Sequence, residues 1–282
     1  MIAVVDYQKG NLKSVERGLI AAGGEALITA DASEIAKADA IVLPGVGAFA
    51  DAAATMCELG QMEAIRDRVR AGVPFLGICL GEHLMFEHGV EGAPEGNPAC
   101  GLGLLPGTVV AIPRCDAQGK AFKVPHVGWN TIEMPACNGG AAVPPCGEGG
   151  GNAALSSGGA GGGAARSSAA KRGLFEHGAF PGSAPQAGSE LAFPDSTPQP
   201  GSDLAFACPL FDGIAPGEYF YFTHSYIAPT GSHTIAETTH STRFTSAVQF
   251  GECAFGVQFH PEKSSDAGAR VLANFVAIAA RG

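Results

Sequence analysis

Positive charge is scarce in this sequence of 282 residues. Lysine and arginine together number 17, against 27 aspartate and glutamate residues, which gives a formal net charge of -10 at pH 7. A protein that binds along a nucleic-acid backbone needs a surface rich in lysine and arginine, because it must replace the counterions of the phosphates. This composition argues against nucleic acid as a partner.

Long apolar runs and a targeting segment are also missing. No run of apolar residues approaches the roughly 18 to 20 that a membrane-spanning helix needs. The residues from Met1 to Asp6 contain neither the basic region nor the small-residue cleavage site of a secretory signal. We therefore expect a cytoplasmic protein that has no membrane partner.

The eight cysteines form no C-x-x-C pair and no cysteine and histidine cluster at zinc spacing. A lone cysteine in a reducing compartment is usually a small buried hydrophobe. We expect no metal site, and we expect an ordinary structural role for every cysteine except Cys79.

The sequence does contain an alternation of short apolar runs with helical patterns. Apolar strand patterns occur at residues 2–7, 26–29, 40–43, 74–78, 219–222, 234–239, 246–250 and 255–259. Helical spacing begins near Leu12, recurs from Cys57 to Arg70, and returns around Val271 to Val276. Unbroken apolar strands suit a parallel sheet that is covered on both faces. We predict an α/β fold with an open, mostly parallel sheet flanked by helices, and a site at the carboxyl ends of the strands.

One stretch, from Asn138 to Ala205, differs from the rest of the chain. Its 68 residues include 16 Gly, 14 Ala, 8 Ser and 7 Pro. Such a composition cannot bury enough apolar surface to offset the entropy of ordering the chain. We predict one domain over residues 1–282, interrupted by a flexible insertion at about 138–205, with local order near Leu174 and Phe175.

A first chemical motif surrounds Cys79. The apolar segment from Pro74 to Ile78 runs into Cys79, which has Gly77 and Gly81 on either side, and a helical segment is predicted from residue 82 to residue 86. A nucleophile on a tight turn between strand and helix needs small neighbours, and backbone N–H groups at the helix start favour a thiolate and an oxyanion. Taken alone, the motif fits a buried structural cysteine equally well.

A second motif supplies the groups that a cysteine nucleophile needs. The apolar segment that begins at Gly256 ends in His260, and Glu262 follows across a proline. A histidine can act as the base, and a carboxylate can orient its other ring nitrogen. A lone histidine at a strand end is more often structural, but its combination with the Cys79 motif favours catalysis.

Together these motifs resemble the class I glutamine amidotransferases, in particular the glutaminase subunits of imidazole glycerol phosphate synthase in histidine biosynthesis. The resemblance rests on the two motifs and on the segments at residues 6–12, 44–49, 101–104, 126–130 and 221–226. It implies a flavodoxin-like fold, glutamine as the substrate, no cofactor, and a catalytic triad of Cys79, His260 and Glu262. It also implies that the oxyanion and the substrate are bound by Gly45, Val46, Gly47, Leu80 and His83.

The resemblance further implies a protein partner. Relatives of this kind form a heterodimer with a cyclase subunit, a HisF-type β/α barrel. The cyclase uses the ammonia to form imidazole glycerol phosphate and an aminoimidazole carboxamide ribotide (AICAR). Trp129 and Asn130 are expected to face this partner, although a buried structural tryptophan is an equal alternative.

The chain departs from this family at Glu82 and His83, where the family usually has methionine and glutamine. The glutamine contacts substrate in the family, so His83 is expected to bind glutamine less tightly. Glu82 is expected to repel a neighbouring thiolate. The alternative is that Glu82 points to solvent and that His83 is a benign replacement. Two other functions stay open: an amidotransferase or γ-glutamyl hydrolase with a different acceptor, and an interaction subunit with weak catalysis.

Overall fold

The structure, a computed structural model, describes residues 1–135 and 206–281. The insertion predicted at about 138–205, with its expected local order near Leu174 and Phe175, lies outside the described residues. Within the described ranges, no helix combines the length and the hydropathy that crossing a membrane requires.

Strands supply the framework, and most of those in the central sheet follow the apolar runs of the sequence. In chain order they are β1 (Ile2–Val5), β2 (Ala26–Thr29), β3 (Ala40–Gly45), β4 (Phe75–Cys79), β5 (Phe86–Gly89), β6 (Ala99–Cys100), β7 (Leu105–Ala111), β8 (His126–Thr131), β9 (Tyr219–His224), β10 (Tyr226–Ile227), β11 (Thr234–Thr239), β12 (Arg243–Phe250) and β13 (Ala254–Val257).

The central sheet has the strand order β11-β12-β13-β4-β3-β1-β2. The five strands from β13 to β2 pair in parallel, while β12 pairs antiparallel with both β11 and β13. The predicted open, mostly parallel sheet is confirmed. Strand β4 lies between β3 and β13, so the carboxyl ends of these three strands meet at one edge of the sheet.

The helices cover both faces of this sheet. They are α1 (Leu12–Ala21), α2 (Ala32–Ile35), α3 (Phe49–Glu58), α4 (Gln61–Arg70), α5 (Leu80–His83) and α6 (Ser265–Ala279), and short 3-10 turns occur at Pro209–Phe211 and Pro261–Lys263. Because strand side chains alternate between faces, Val4 packs in one core with residues of α1 and α6. Val5 packs in a second core with residues of α3 and α4.

Two helical predictions differ from the structure. The stretch from Cys57 to Arg70 belongs to two helices, because Gly60 adopts a left-handed φ of 69° between α3 and α4. The segment predicted from 82 to 86 is wrong: α5 ends at His83, and Phe86 begins β5. The chain turns away after one helical turn because β5 pairs with β6 and β7 in a second sheet, whose order is β10-β7-β5-β6.

Strands β8 and β9 form a separate antiparallel ribbon, with Trp129 opposite Tyr221. The apolar run at 219–222 lies within β9, whereas no strand is predicted at β8. Strand β8 carries a glycine and several polar residues and has only one buried side chain, that of His126. Its pattern is therefore weak in the sequence.

Candidate active site

Cys79 lies at the junction of β4 and α5 in a strained backbone conformation, with φ of 55° and ψ of -106°. The glycines beside it are required by close backbone contacts. A Cβ at Gly81 would overlap the carbonyl oxygen of Leu43, and a Cβ at Gly77 would lie 2.5 Å from the carbonyl oxygen of Gly81. The sharp turn leaves the Cys79 side chain 7% exposed, at the wall of a cavity.

His260 and Glu262 lie together just beyond the end of β13. Nδ1 of His260 is 2.9 Å from Oε1 of Glu262, and their side chains are 2% and 1% exposed. The backbone of His260 is held as well, because its N–H donates to the carbonyl of Tyr221 and its own carbonyl accepts from Oγ of Ser264. Among the described residues, no group forms a hydrogen bond with Nε2 of His260.

His260 and Glu262 each stabilise the charged form of the other. Burial lowers the pKa of His260, but its interactions with Cys79 and Glu262 outweigh burial and raise the pKa to about 9. Burial raises the pKa of Glu262, but the hydrogen bond from His260, together with other contacts, leaves it below its usual value. At neutral pH the pair is therefore an imidazolium and a carboxylate, and the Nε2–H group, on the ring nitrogen that does not face Glu262, can give a proton to a reacting group.

Strand pairing brings these distant residues to one place. Strand β13 runs parallel to β4, with Val257 opposite Ile78. On the other side of β4, Gly45 at the end of β3 is the register partner of Cys79. The three segments proposed from the sequence to carry chemistry thus end at the same edge of the sheet.

A cavity of about 460 Å³ opens at this edge. It is lined by Val46, Gly47, Ala48, Cys79, Leu80, His83, Glu91, Pro125, Thr223, His224, Ser225 and Tyr226. Of the residues predicted to bind the oxyanion or substrate, Val46, Gly47, Leu80 and His83 contribute to the wall. Gly45 lies behind them, where a Cβ would overlap the hydroxyl of Tyr7.

Glu91 is a cavity residue that the sequence reasoning missed. Burial raises the pKa of its carboxyl, and this effect is opposed by the backbone N–H of Phe49 and reinforced by the charge of Asp51. The residue lies in the loop after β5 and belongs to no recognisable motif, so no sequence signal points to it. It contributes a carboxylic group to the cavity wall.

Glu82 and His83 are both buried beside the nucleophile, with exposed fractions of 0% and 3%. The alternative that Glu82 points to solvent is therefore wrong. Neither carboxyl oxygen of Glu82 has a hydrogen-bond partner among the described residues. Burial, with a smaller contribution from Cys79, raises the pKa of Glu82 well above its usual value. Nε2 of His83 lies 2.7 Å from Oε1 of Gln258.

A line of hydrogen bonds connects the β8–β9 ribbon to the cavity. Burial lowers the pKa of His126 to about 4 and that of His224 to about 3, so both rings are neutral. His224 donates from Nδ1 to the carbonyl of Tyr226, which leaves its Nε2 to accept from Nδ1 of His126 at 2.9 Å. Nε2 of His126 in turn accepts from Asn130 at 3.3 Å.

Trp129 lies on the outer surface of this ribbon. Its side chain is 51% exposed, and its ring meets that of Tyr221 edge to face. The alternative of a buried structural tryptophan is therefore wrong. Val127 and Tyr219 on the same ribbon are 54% and 51% exposed, so the ribbon carries an apolar surface.

Sequence comparison with known proteins identifies the family of this chain. A model described as glutamine amidotransferase class-I matches residues 3–134 and 192–279. The imidazole glycerol phosphate synthase subunit HisH of Moorella thermoacetica is 35% identical, over 97% of this chain and 93% of that protein. The HisH subunit of Rhodopirellula baltica is 34% identical, over 98% and 96%.

Solved structures agree on the fold. A structure described as a glutamine amidotransferase superposes with a TM-score of 0.55 at 16% identity, covering 99% of this chain and 98% of the other. The glutaminase domain of Trypanosoma brucei CTPS, with bound acivicin, gives a TM-score of 0.52 at 13% identity and covers 99% and 93%. The sequence matches and the common fold agree: the chain belongs to the glutamine amidotransferase class-I family, among the relatives named imidazole glycerol phosphate synthase subunit HisH.

Proposed function

We propose that this chain is the glutaminase subunit of imidazole glycerol phosphate synthase in histidine biosynthesis. The observation that carries the proposal is the convergence of Cys79, His260 and Glu262 at one sheet edge, in a chain that aligns over nearly its full length with HisH subunits. Glutamine is the substrate, and glutamate and ammonia are the products.

The first half of the reaction forms a thioester. The Cys79 sulfur attacks the carbon of the glutamine carboxamide, and the carbonyl oxygen becomes an oxyanion. The C–N bond then breaks as Nε2 of the His260 imidazolium gives its proton to the departing nitrogen, which leaves as ammonia. Glu262 remains a carboxylate and holds the ring through Nδ1.

The second half releases glutamate. Neutral His260 takes a proton from water as the water oxygen attacks the thioester carbon. The C–S bond breaks, the sulfur leaves as a thiolate, and the His260 imidazolium is restored. The same oxyanion position is occupied in both halves, so one set of donors serves both.

Backbone N–H groups of Leu80 and of the loop at Val46 and Gly47 are the proposed oxyanion donors. Leu80 begins α5, where the first N–H groups have no partner within the helix. Gly47 adopts a φ of 103°, which gives the neighbouring peptide a freedom that other residues lack. A turn of this loop would aim an N–H at the developing charge.

Glu91 is the proposed partner of the α-ammonium group of glutamine. A bound amino acid brings a positive charge into the cavity, and among the described residues the only acidic side chain in the cavity lining is that of Glu91. The opposite charge would favour the ionised form of Glu91, which burial disfavours in the empty cavity.

The exposed ribbon surface of Val127, Trp129 and Tyr219 is the proposed docking site for a HisF-type cyclase barrel. Aromatic side chains at the centre of an interface commonly provide much of its binding energy. Through this heterodimer, ammonia passes to the cyclase, which forms imidazole glycerol phosphate and AICAR. A sealed interface prevents loss of ammonia to solvent.

The decisive test is ammonia release from glutamine by the chain alone, with the cyclase, and with the cyclase and its ligand bound. We expect hydrolysis to rise when the cyclase and ligand are present. Absence of hydrolysis in all three mixtures would contradict the proposal. A pull-down that recovers a different synthase, and hydrolysis stimulated by that synthase, would assign another acceptor.

A further inference from the structure

A second buried polar path, separate from His260 and Glu262, reaches the Cys79 sulfur. His83 on α5 lies 2.7 Å from Oε1 of Gln258, and Nε2 of Gln258 lies 3.8 Å from the sulfur of Cys79. The exposed fractions of His83 and Gln258 are 3% and 0%. Gln258 is therefore shielded from water, while His83 and Cys79 at the two ends of the path also contribute to the cavity wall.

The amide of Gln258 determines which group donates and which accepts in each hydrogen bond of this path. An amide oxygen only accepts hydrogen bonds, so the hydrogen shared with His83 must be on Nε2 of the histidine. The amide nitrogen then directs its hydrogens toward the sulfur. The reverse orientation of Gln258 would place a carbonyl oxygen against a sulfur that becomes negative, which is electrostatically unfavourable.

The protonation state of His83 is consistent with this direction. Burial lowers the pKa of His83 to about 4. The ring is neutral at working pH and has a single N–H, which is committed to Gln258. His83 is thus a fixed donor rather than a second charge beside the nucleophile.

The sulfur contacts two groups that favour different protonation states. The carbonyl oxygen of Thr223, at 3.8 Å, can accept only from a thiol S–H. The N–H of Gln258 stabilises a negative sulfur, because a hydrogen bond to the charged form of a group favours that form. The orientation of this amide therefore either supports or opposes a negative charge on the sulfur.

We propose that His83 is a positioning residue for the nucleophile: it holds the amide of Gln258 with its N–H toward Cys79 and so raises the thiolate fraction. This inference rests on the proposed function, because it takes Cys79 as the nucleophile. Other titratable groups face the same sulfur, namely Tyr7 after β1, Glu82 on α5 and His260 after β13. None of these is altered in the test.

The test measures the reactivity of Cys79 toward iodoacetamide between pH 5 and pH 10 in the full chain. Peptide mass spectrometry isolates Cys79 from the exposed cysteines, such as Cys57 and Cys100. The variants are His83→Asn, whose amide reaches only as far as Nδ1 of the ring, and His83→Gln, whose amide nitrogen can occupy the position of Nε2. Gln258→Met removes the donor to the sulfur while keeping similar length.

We expect His83→Asn and Gln258→Met each to slow alkylation at pH 7 by about two- to twelvefold, the value of one hydrogen bond. His83→Gln should recover most of the rate. The double variant should be no slower than either single variant, because the two residues act in series.

Steady-state kinetics of the complex with the cyclase separate this role from a substrate contact. Unchanged alkylation in His83→Asn, with only a higher KM for glutamine, would overturn the proposal and leave His83 as a substrate-binding residue. If His83→Asn does not fold, an unshifted alkylation profile in Gln258→Met overturns it equally. Failure of the wild-type complex to release ammonia would instead refute the proposed function, and the alkylation result would still decide the path to the sulfur.

Discussion

Asn11 donates a hydrogen bond from Nδ2 to Oε1 of Glu262 at 3.3 Å, the same oxygen that accepts from His260. Asn11 occupies the N-cap position of α1, but its side chain makes no capping bond. The amide instead joins the first helix to the candidate triad. Glu262 is thereby held from two directions.

Asn11→Leu should lower kcat for glutamine hydrolysis about two- to twelvefold, because one hydrogen bond to the orienting carboxylate is lost. KM should change little, since Asn11 does not line the cavity. Asn274→Leu is a matched control: its amide donates to the carbonyls of Leu210 and Asp212, away from the cavity. Equal losses of kcat in both variants would show that Asn11 acts only through stability.

Cys79→Ala should abolish glutamine hydrolysis while the complex still makes product from added ammonium salts. The reason is that ammonia production and ammonia use lie in different subunits. Residual hydrolysis above about a thousandth of wild type would contradict the assignment of the nucleophile, because members of a triad act as a unit. The exposed Cys57, changed to Ala, should leave both activities intact.

From the raised pKa of His260 we expect a loss of both activity and stability at alkaline pH. Its folded pKa of about 9 lies above the ordinary value of 6.5. A raised histidine pKa stabilises the folded state fully below the unfolded pKa, and this stabilisation is lost as pH rises through the folded pKa. The acylation step also needs the protonated ring. The free energy of unfolding should therefore fall between about pH 6.5 and about pH 9, and the rate of hydrolysis should fall as pH rises through about 9.

Glu262→Gln provides the comparison for this pH dependence. It removes a carboxylate that raises the pKa of His260, so the alkaline loss of activity should begin at lower pH. If the loss of activity at alkaline pH begins at the same pH in Glu262→Gln as in wild type, another group controls that loss. Urea denaturation across the same pH range measures the stability effect separately.

The buried carboxyl group of Glu82 also predicts a stability that falls as pH rises. Its pKa is raised in the folded state, so folding is increasingly disfavoured as pH rises above the unfolded pKa and the unfolded chain ionises. Glu82→Met should therefore stabilise the protein more at pH 8 than at pH 4. Glu63→Met, at an exposed position of α4, should show no such pH-dependent gain. An equal gain at both pH values would mean that only packing had changed.

Replacement of residues 138–205 by a short Gly/Ser linker should leave folding and basal hydrolysis nearly unchanged. The segment is poor in residues that build a core, and the entropy of closing a loop rises only slowly with its length. The family model likewise passes from residue 134 to residue 192 without a match between them. A fall in melting temperature of more than about 8 °C would contradict the prediction.

The parts of the fold that the sequence predicted are those with strong periodicity. Strand β2 has the expected bounds because three of its four residues form an apolar run, and β11 has the expected bounds as well. The sheet of β5, β6, β7 and β10 was not predicted, since several of its strands are short and most of their residues are partly exposed. Its existence depends on pairing partners that lie far apart in the sequence.

The residues of the candidate site also divide into those that the sequence predicted and those that it did not. Cys79 and His260 stand in recognisable motifs, each at the end of an apolar strand. Glu91 stands in no motif, and Gln258 lies within the second motif without any sign of its role, because the importance of both comes from the neighbours that the fold brings to them. Likewise, burial of Glu82 follows from its packing against Gly256 of β13, where a Cβ would meet its Cγ at 2.7 Å.

The backbone strain at Cys79 has an evolutionary consequence. A non-glycine residue in so rare a conformation costs about 1 to 3 kcal/mol, which is a large share of the margin by which a domain stays folded. Glycine at this position would remove the strain together with the sulfur. Selection for stability alone thus opposes the nucleophile, and a lineage that no longer needed the reaction would drift toward the inactive residue.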